Sequence, residues 1–164
     1  MTFDMSQPIA FSLEEASLVR AAEWQQLIQA LMAETDTFLI ASMRDGDGDE
    51  IPVKNDAPAI TLLLIAEQGE QSLPVGIGSI ENEEIGVAIL KQFHGAGLGQ
   101  DLMRALLDWA KFNGLSKVWL DVQIDNDIAV HIYQKYGFLS IGEKEHFTLP
   151  NGRDTELQRM ILEL

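Results

Sequence analysis

Apolar residues at Trp24, Leu27, Ile28, Leu31 and Met32 recur every three to four positions, which predicts an amphipathic helix from Ala21 to Glu34. The stretch before it, PIAFSLEEASLV, reads equally as a first strand or as a helical turn. Phe38 to Met43 is a short apolar run, and the RDGDGDEIPVKNDAP that follows is a polar loop rich in turn formers. Ile60 to Ala66 and Val75 to Ile80 predict strands parted by a turn in EQGEQSLP, and Ile85 to Leu90 is another β-like run.

A second helical period runs from Leu98 to Asn113, with Leu98, Leu102, Ala105, Leu106, Trp109 and Ala110 on one face. It stops at Gly114, a residue that accepts the left-handed conformation just past a helix end. Val118 to Val122 alternates Val, Leu and Val as a strand does. Asp125 or Asn126 then caps a helix that turns Ala129, Ile132, Tyr133 and Tyr136 inward and ends at Gly137. Phe138 to Ile141 and Leu157 to Leu162 predict two closing strands. Helices set between strands point to an α/β or mixed α+β fold around one central sheet. The 164 residues show no internal repeat and suit a single domain with a sizeable core.

Composition narrows the chemistry. The chain has no cysteine, so disulfides, thiolate nucleophiles and cysteine–metal sites are excluded. The N-terminal MTFDMSQPIAF lacks a basic region and a long apolar core, and no apolar run approaches the roughly 20 residues that span a bilayer. The expected location is therefore cytoplasmic. A net charge of −15 disfavours nucleic acid and anionic membranes as partners and mildly favours a cationic substrate. Asp45, Asp47 and Asp49, with Asp56 at the twelfth place, are spaced like a calcium loop. Glu50 stands where that loop needs glycine and Pro52 interrupts it, while His131 and His146 have no partner at ligand spacing. No metal site is expected.

The segment QFHGAGLGQDL places glycine at 95, 97 and 99 between a strand and a helix. Backbone N–H groups converge at a helix start, and absent Cβ atoms let an anion approach them. A P-loop would need lysine after the glycines, and a dinucleotide fingerprint would need glycine where Gln100 stands. Both nucleotide readings are weak, leaving a phosphate-bearing ligand of another kind or a tight turn.

Read together, IGVAILKQFHGAGLGQDLMRALLDWA, VWLDV and NDIAVHIYQKYGF resemble the GNAT superfamily of acyl-CoA-dependent N-acetyltransferases. His94 to Gly99 corresponds to that family's Q/R-x-x-G-x-G/A diphosphate loop. Asn126, Ala129, Tyr133, Gly137 and Phe138 match its N-x-x-A-x-x-x-Y-x-x-x-G-F signature. The likeness covers Ile85 to Ile141 well and reaches more loosely back to Arg20. It implies a central mixed, mostly antiparallel sheet flanked by helices, with acetyl-CoA as co-substrate and a small-molecule or protein amine as acceptor. It also implies direct attack by that amine through a tetrahedral intermediate. Strand edges in such a sheet leave room for a homodimer.

By the same resemblance, Val87, Ala88 and Ile89 line the pantetheine arm, and His94, Gly95, Ala96, Gly97, Leu98, Gly99 and Gln100 hold the diphosphate. Tyr133 is implied as general acid to the leaving sulfur, a role a phenol suits because it stays protonated at neutral pH. Asn126 is a helix cap first and a cofactor contact second. Of the two carboxylates before Ile85, Glu84 rather than Glu83 is taken as the base. At His94 an imidazole replaces the family's usual Arg or Gln, so cofactor binding is expected to weaken between about pH 6 and 8. The rival reading is a non-catalytic acyl-CoA-binding or regulatory module.

Overall fold

A computed structural model describes residues 3–35 and 57–164; the apolar run 38–43 and the carboxylates Asp45, Asp47, Asp49 and Asp56 lie outside them. Among the described residues the strands are β1 (Ala10–Glu15), β2 (Ile60–Gln68), β3 (Gln71–Glu81), β4 (Glu84–Ile89), β5 (Lys117–Gln123), β6 (Leu139–Thr148) and β7 (Asp154–Glu163). The helices are α1 (Ala21–Glu34), α2 (Leu98–Phe112) and α3 (Asp127–Tyr136). The strands form one sheet in the order β1-β2-β3-β4-β5-β7-β6. Every neighbouring pair is antiparallel except β4 with β5.

The ambiguous N-terminal stretch resolves into both of its readings. Ala10–Glu15 is a strand, and Leu18–Arg20 makes one turn of 3-10 helix into α1. Arg20 fixes that junction by donating to Glu14 and to the carbonyl and hydroxyl oxygens of Ser72, each at 3.1 Å. Helix α1 buries Leu27 and Leu31, which cluster with Leu63 and Ile77.

The turn placed across EQGEQSLP is far tighter in the fold. Strands run up to Gln68 and resume at Gln71, leaving Gly69 at φ +60° and Glu70 between them. Proline belongs in a central strand only where the ladder is broken. The register between β2 and β3 shifts at Leu64/Ile65, opposite Pro74, and β3 accommodates its proline there. The β3–β4 hairpin turns on Asn82 and Glu83, both at positive φ (53° and 66°), as a two-residue primed turn requires.

Helix α2 buries Leu98, Leu102, Met103, Leu106, Leu107 and Ala110. Ala105 and Trp109, expected on the inner face, are only half-buried, because the stripe leans toward Met103 and Leu107. Its close approach depends on Gly78 of β3. A Cβ there would stand 2.8 Å from Leu106 Cδ1 and 3.0 Å from Leu102 Cδ2. Asn126, not Asp125, caps α3, its side chain accepting from the Ala129 N–H at 3.3 Å. The helix ends on Gly137 at φ +98°. Helix α3 packs Ala129, Tyr133 and Tyr136 beside Met103, Leu106, Val118, Leu120, Val122 and Met160.

The two closing strands are each ten residues long, well beyond the runs the apolar pattern marks. Strand β6 lies at the sheet edge and is mostly exposed, so Glu143, Lys144 and Glu145 carry it without an apolar period.

Gly78→Ala is expected to destabilise the fold by about 1–3 kcal/mol through overpacking against α2, read as a lower urea midpoint at unchanged slope. Asn126→Ala should cost about 1 kcal/mol through loss of the helix cap, visible as a lower melting temperature.

Candidate functional site

The site follows from how little β4 and β5 touch. Their ladder has a single register pair, Glu84 with Trp119. Trp119 N donates to the Glu83 carbonyl at 2.9 Å, and its indole Nε1 donates to the Asn82 carbonyl at 3.1 Å. Beyond that point β4 continues to Ile89 and β5 to Gln123 with no further pairing between them. Leu90 N donates to Val75 O at 3.0 Å, bracketing Gly76 and Ile89 as a non-hydrogen-bonded pair of the β3–β4 ladder. In such a ladder alternate residues turn their N–H and C=O away from the partner strand. Val87 and Ile89 therefore present backbone donors and acceptors toward β5, while those of Ala88 serve the ladder with β3.

Next to this open edge lies the glycine loop. A one-turn 3-10 helix, Lys91–Phe93, leads from β4 to His94, and Gly95 and Gly97 adopt φ of +87° and +77°. A Cβ at either would meet nothing within 4 Å, so the torsion rather than crowding calls for glycine. Helical Gly99 differs, since a Cβ there would make only an ordinary contact of 3.6 Å with Ile89 Cδ1. Gly97 is the N-cap of α2 and no side chain caps that end. The first backbone bond runs from Asp101 N to Gly97 O at 3.1 Å, so the amides of Leu98, Gly99 and Gln100 precede the helical ladder. An open, uncapped helix start beside an unpaired strand edge suits a diphosphate joined to an amide-bearing arm.

His94 is exposed, and its Nε2 lies 2.6 Å from the Ile89 carbonyl oxygen. Tyr133 packs on Phe138 with ring centroids 5.8 Å apart, and burial raises its pKa above the ordinary tyrosine value. The phenol is thus firmly protonated at neutral pH, as a proton donor must be. Tyr136, half-buried like Tyr133, donates from its hydroxyl to the Gln100 carbonyl at 3.4 Å and joins α3 to the first turn of α2.

The two candidate carboxylates at the β3–β4 turn differ sharply. Glu84 is half-buried at the point where the strands part. Glu83 is only 1% exposed, and neither of its carboxylate oxygens has a hydrogen-bond partner. Glu83 is thus sealed from solvent, whereas Glu84 is partly open to it.

One constellation escaped the sequence reading. The Arg159 guanidinium lies 4.0 Å from the Trp119 ring centre. It also forks onto Asp121, with Nε to Oδ1 at 2.7 Å and Nη2 to Oδ2 at 2.8 Å. Arg153 similarly bridges Gln123 at 2.7 Å and Asp125 at 2.8 Å. The signal was present in KVWLDVQ, whose alternate residues Trp119, Asp121 and Gln123 occupy the face opposite Val118, Leu120 and Val122. Their partners, Arg153 just before β7 and Arg159 within it, lie 28 or more residues on and carry no local pattern.

Among the described residues no three metal-ligating side chains cluster, and no helix is long and apolar enough to cross a membrane.

The sequence pattern that defines the acetyltransferase (GNAT) family matches residues 24–138. An N-alpha-acetyltransferase, RimI, of Mycobacterium tuberculosis is 36% identical over 67 residues, covering 41% of this chain and 40% of that protein. The chain spans only 20% to 40% of the length of the first curated relatives it matches. A GNAT-family acetyltransferase of Streptococcus pneumoniae superposes with a TM-score of 0.72 at 25% identity, covering 94% of this chain and 100% of that one. The structure of yncA from Salmonella typhimurium, determined with its cofactor acetyl-CoA, superposes with a TM-score of 0.69 at 17% identity, covering 94% of each chain. The family pattern spans more than half of the residues, and the chain belongs to the acetyltransferase (GNAT) family.

Proposed function

We propose that the protein transfers the acetyl group of acetyl-CoA to a primary amine by direct attack of the amine on the thioester. The observation that carries this reading is the conjunction of the β4–β5 opening with the uncapped start of α2. The thioester supplies an activated acetyl group; the rest falls to the chain. The amides from Gly95 to Gln100 receive the diphosphate, with Leu98, Gly99 and Gln100 aided by the helix dipole. The outward N–H and C=O of Val87 and the outward N–H of Ile89, whose carbonyl is met by the His94 ring, pair with the pantetheine amides as an added strand, with Ala88 holding the edge against β3. A β4 N–H facing the opening polarises the thioester carbonyl and stabilises the oxyanion of the tetrahedral intermediate.

An amine attacks only when neutral, so a proton has to leave it. Glu84, half-buried at the base of the opening, takes that proton directly or through water. Tyr133, held protonated by burial, gives a proton to the departing sulfur. Asn126 holds the start of the helix that carries Tyr133, and its contact to the cofactor rests on the family signature alone. The acceptor is a small amine such as a polyamine, an amino acid or an antibiotic, or else the amine of a protein. A net charge of −15 favours a cationic one.

An amine panel with mass readout tests the assignment. Tyr133→Phe is expected to bind coenzyme A as the wild type does while turning over at least tenfold more slowly, within the range of about 10²–10⁴ typical of general acids. Equal turnover would remove Tyr133 from the mechanism. Burial raises the Tyr133 pKa, so the donor is retained up to and beyond the ordinary tyrosine value of 10.0. The limb of the pH–rate profile it governs is accordingly expected above that value and absent from Tyr133→Phe. Glu84→Gln is expected to slow kcat/KM at pH 7 by about tenfold or more, with the deficit shrinking toward pH 10 as the free amine needs no base.

A further inference from the structure

At the first position of the glycine motif, where the family has Gln or Arg, the His94 ring folds back onto its own chain. Its Nε2 lies 2.6 Å from the Ile89 oxygen. A carbonyl only accepts, so Nε2 carries the proton and donates it. The neutral ring is thereby the Nε2–H tautomer. The bond closes the short turn that leaves β4, in which His94 N also donates to Lys91 O at 3.0 Å. Gly95, at φ +87°, is the next residue. The ring thus ties the last carbonyl of β4, one of those turned toward the opening, to the residue from which the glycine loop springs.

Gln, Arg and His do not share a charge. They share a side-chain N–H donor. We propose that His94 is a positioning residue whose Nε2–H latches onto the Ile89 carbonyl and sets the glycine loop against the end of β4. On this account the position requires a donor rather than a cation. The inference rests on the reading of the loop as a diphosphate site.

The nearby charged groups are Lys91 on the same turn and Glu34 at the end of α1, whose carboxylate accepts from the Lys91 N–H at 3.0 Å. Neither replaces the ring as donor to Ile89. Neutral Nε2–H imidazole and imidazolium both carry a proton on Nε2, so the contact does not depend on the ring's charge.

Nitrogen-15 correlation spectra of the ligand-free protein with labelled histidine, at pH 8, test the contact itself. The His94 signal, assigned by its loss in His94→Gln, is expected to show the proton on Nε2; a proton on Nδ1 would overturn the latch. Calorimetry with coenzyme A at pH 6 and pH 8, on variants first shown to melt like the wild type, tests its role. At pH 8, His94→Gln is expected within about twofold of wild type, and His94→Ala about three- to tenfold weaker, the scale of one hydrogen bond. His94→Arg should bind no tighter than wild type. Binding by the Gln variant as weak as by the Ala variant, or a several-fold tightening of the wild type from pH 8 to pH 6, would show that charge matters and sink the proposal. A wild type that shows the Nε2–H tautomer yet binds no coenzyme A would overturn the diphosphate reading instead, and with it any part for the latch in binding.

Discussion

The whole arrangement turns on one parallel contact. Strands β4 and β5 meet at Glu84 and Trp119 and then part, and beyond that point they do not pair with each other. Backbone groups that face such a gap are open to a ligand strand as well as to protein, which is the premise of the proposed function. The contact is fixed on both sides. Trp119 reaches the β3–β4 turn through its backbone and its indole, while Arg159 lies over the indole's face and forks onto Asp121 two residues along. The planar guanidinium suits both jobs at once, which lysine would not. The apex of the opening is therefore held by side chains, and the strand ends beyond it are left to diverge.

On the other flank, Gly78 allows α2 to settle close to β3, placing its uncapped end beside Ile89. A helix standing a methyl group further out would keep the same secondary structure yet shift the glycine loop relative to the strand edge. Tyr136 adds a second tie, from α3 to the first turn of α2. Loop, strand edge and Tyr133 are thus carried by elements that core packing positions.

Much of this was legible in the residues. The long helical periods of α1 and α2 were read nearly to their ends because each turns an apolar stripe toward the sheet, a broad buried one in α2 and a narrow one centred on Leu27 and Leu31 in α1, and Gly114 and Gly137 mark real stops. The glycine loop and the helix carrying Tyr133 could be located because local backbone chemistry demands particular residues there. Strand lengths were less legible. Strand β6 is an exposed edge without apolar alternation, and the β2–β3 turn was blurred because Pro74, a turn former by rule, sits inside a strand at a register shift. The contacts among Asp121, Arg159 and Trp119 depend on strand order, which no local window contains. The same holds for the contrast between Glu83 and Glu84, since neighbours in sequence differ here only in what the fold wraps around them.

Glu83 burdens the molecule in two ways. Its backbone sits in a conformation that favours glycine, and its carboxylate is withdrawn from water with no donor to meet it. Either burden alone lowers the melting point of a hairpin, and together they sit at the tip beside which the sheet divides. Stability at the hairpin tip is thus given up at Glu83, next to the point where β4 and β5 separate.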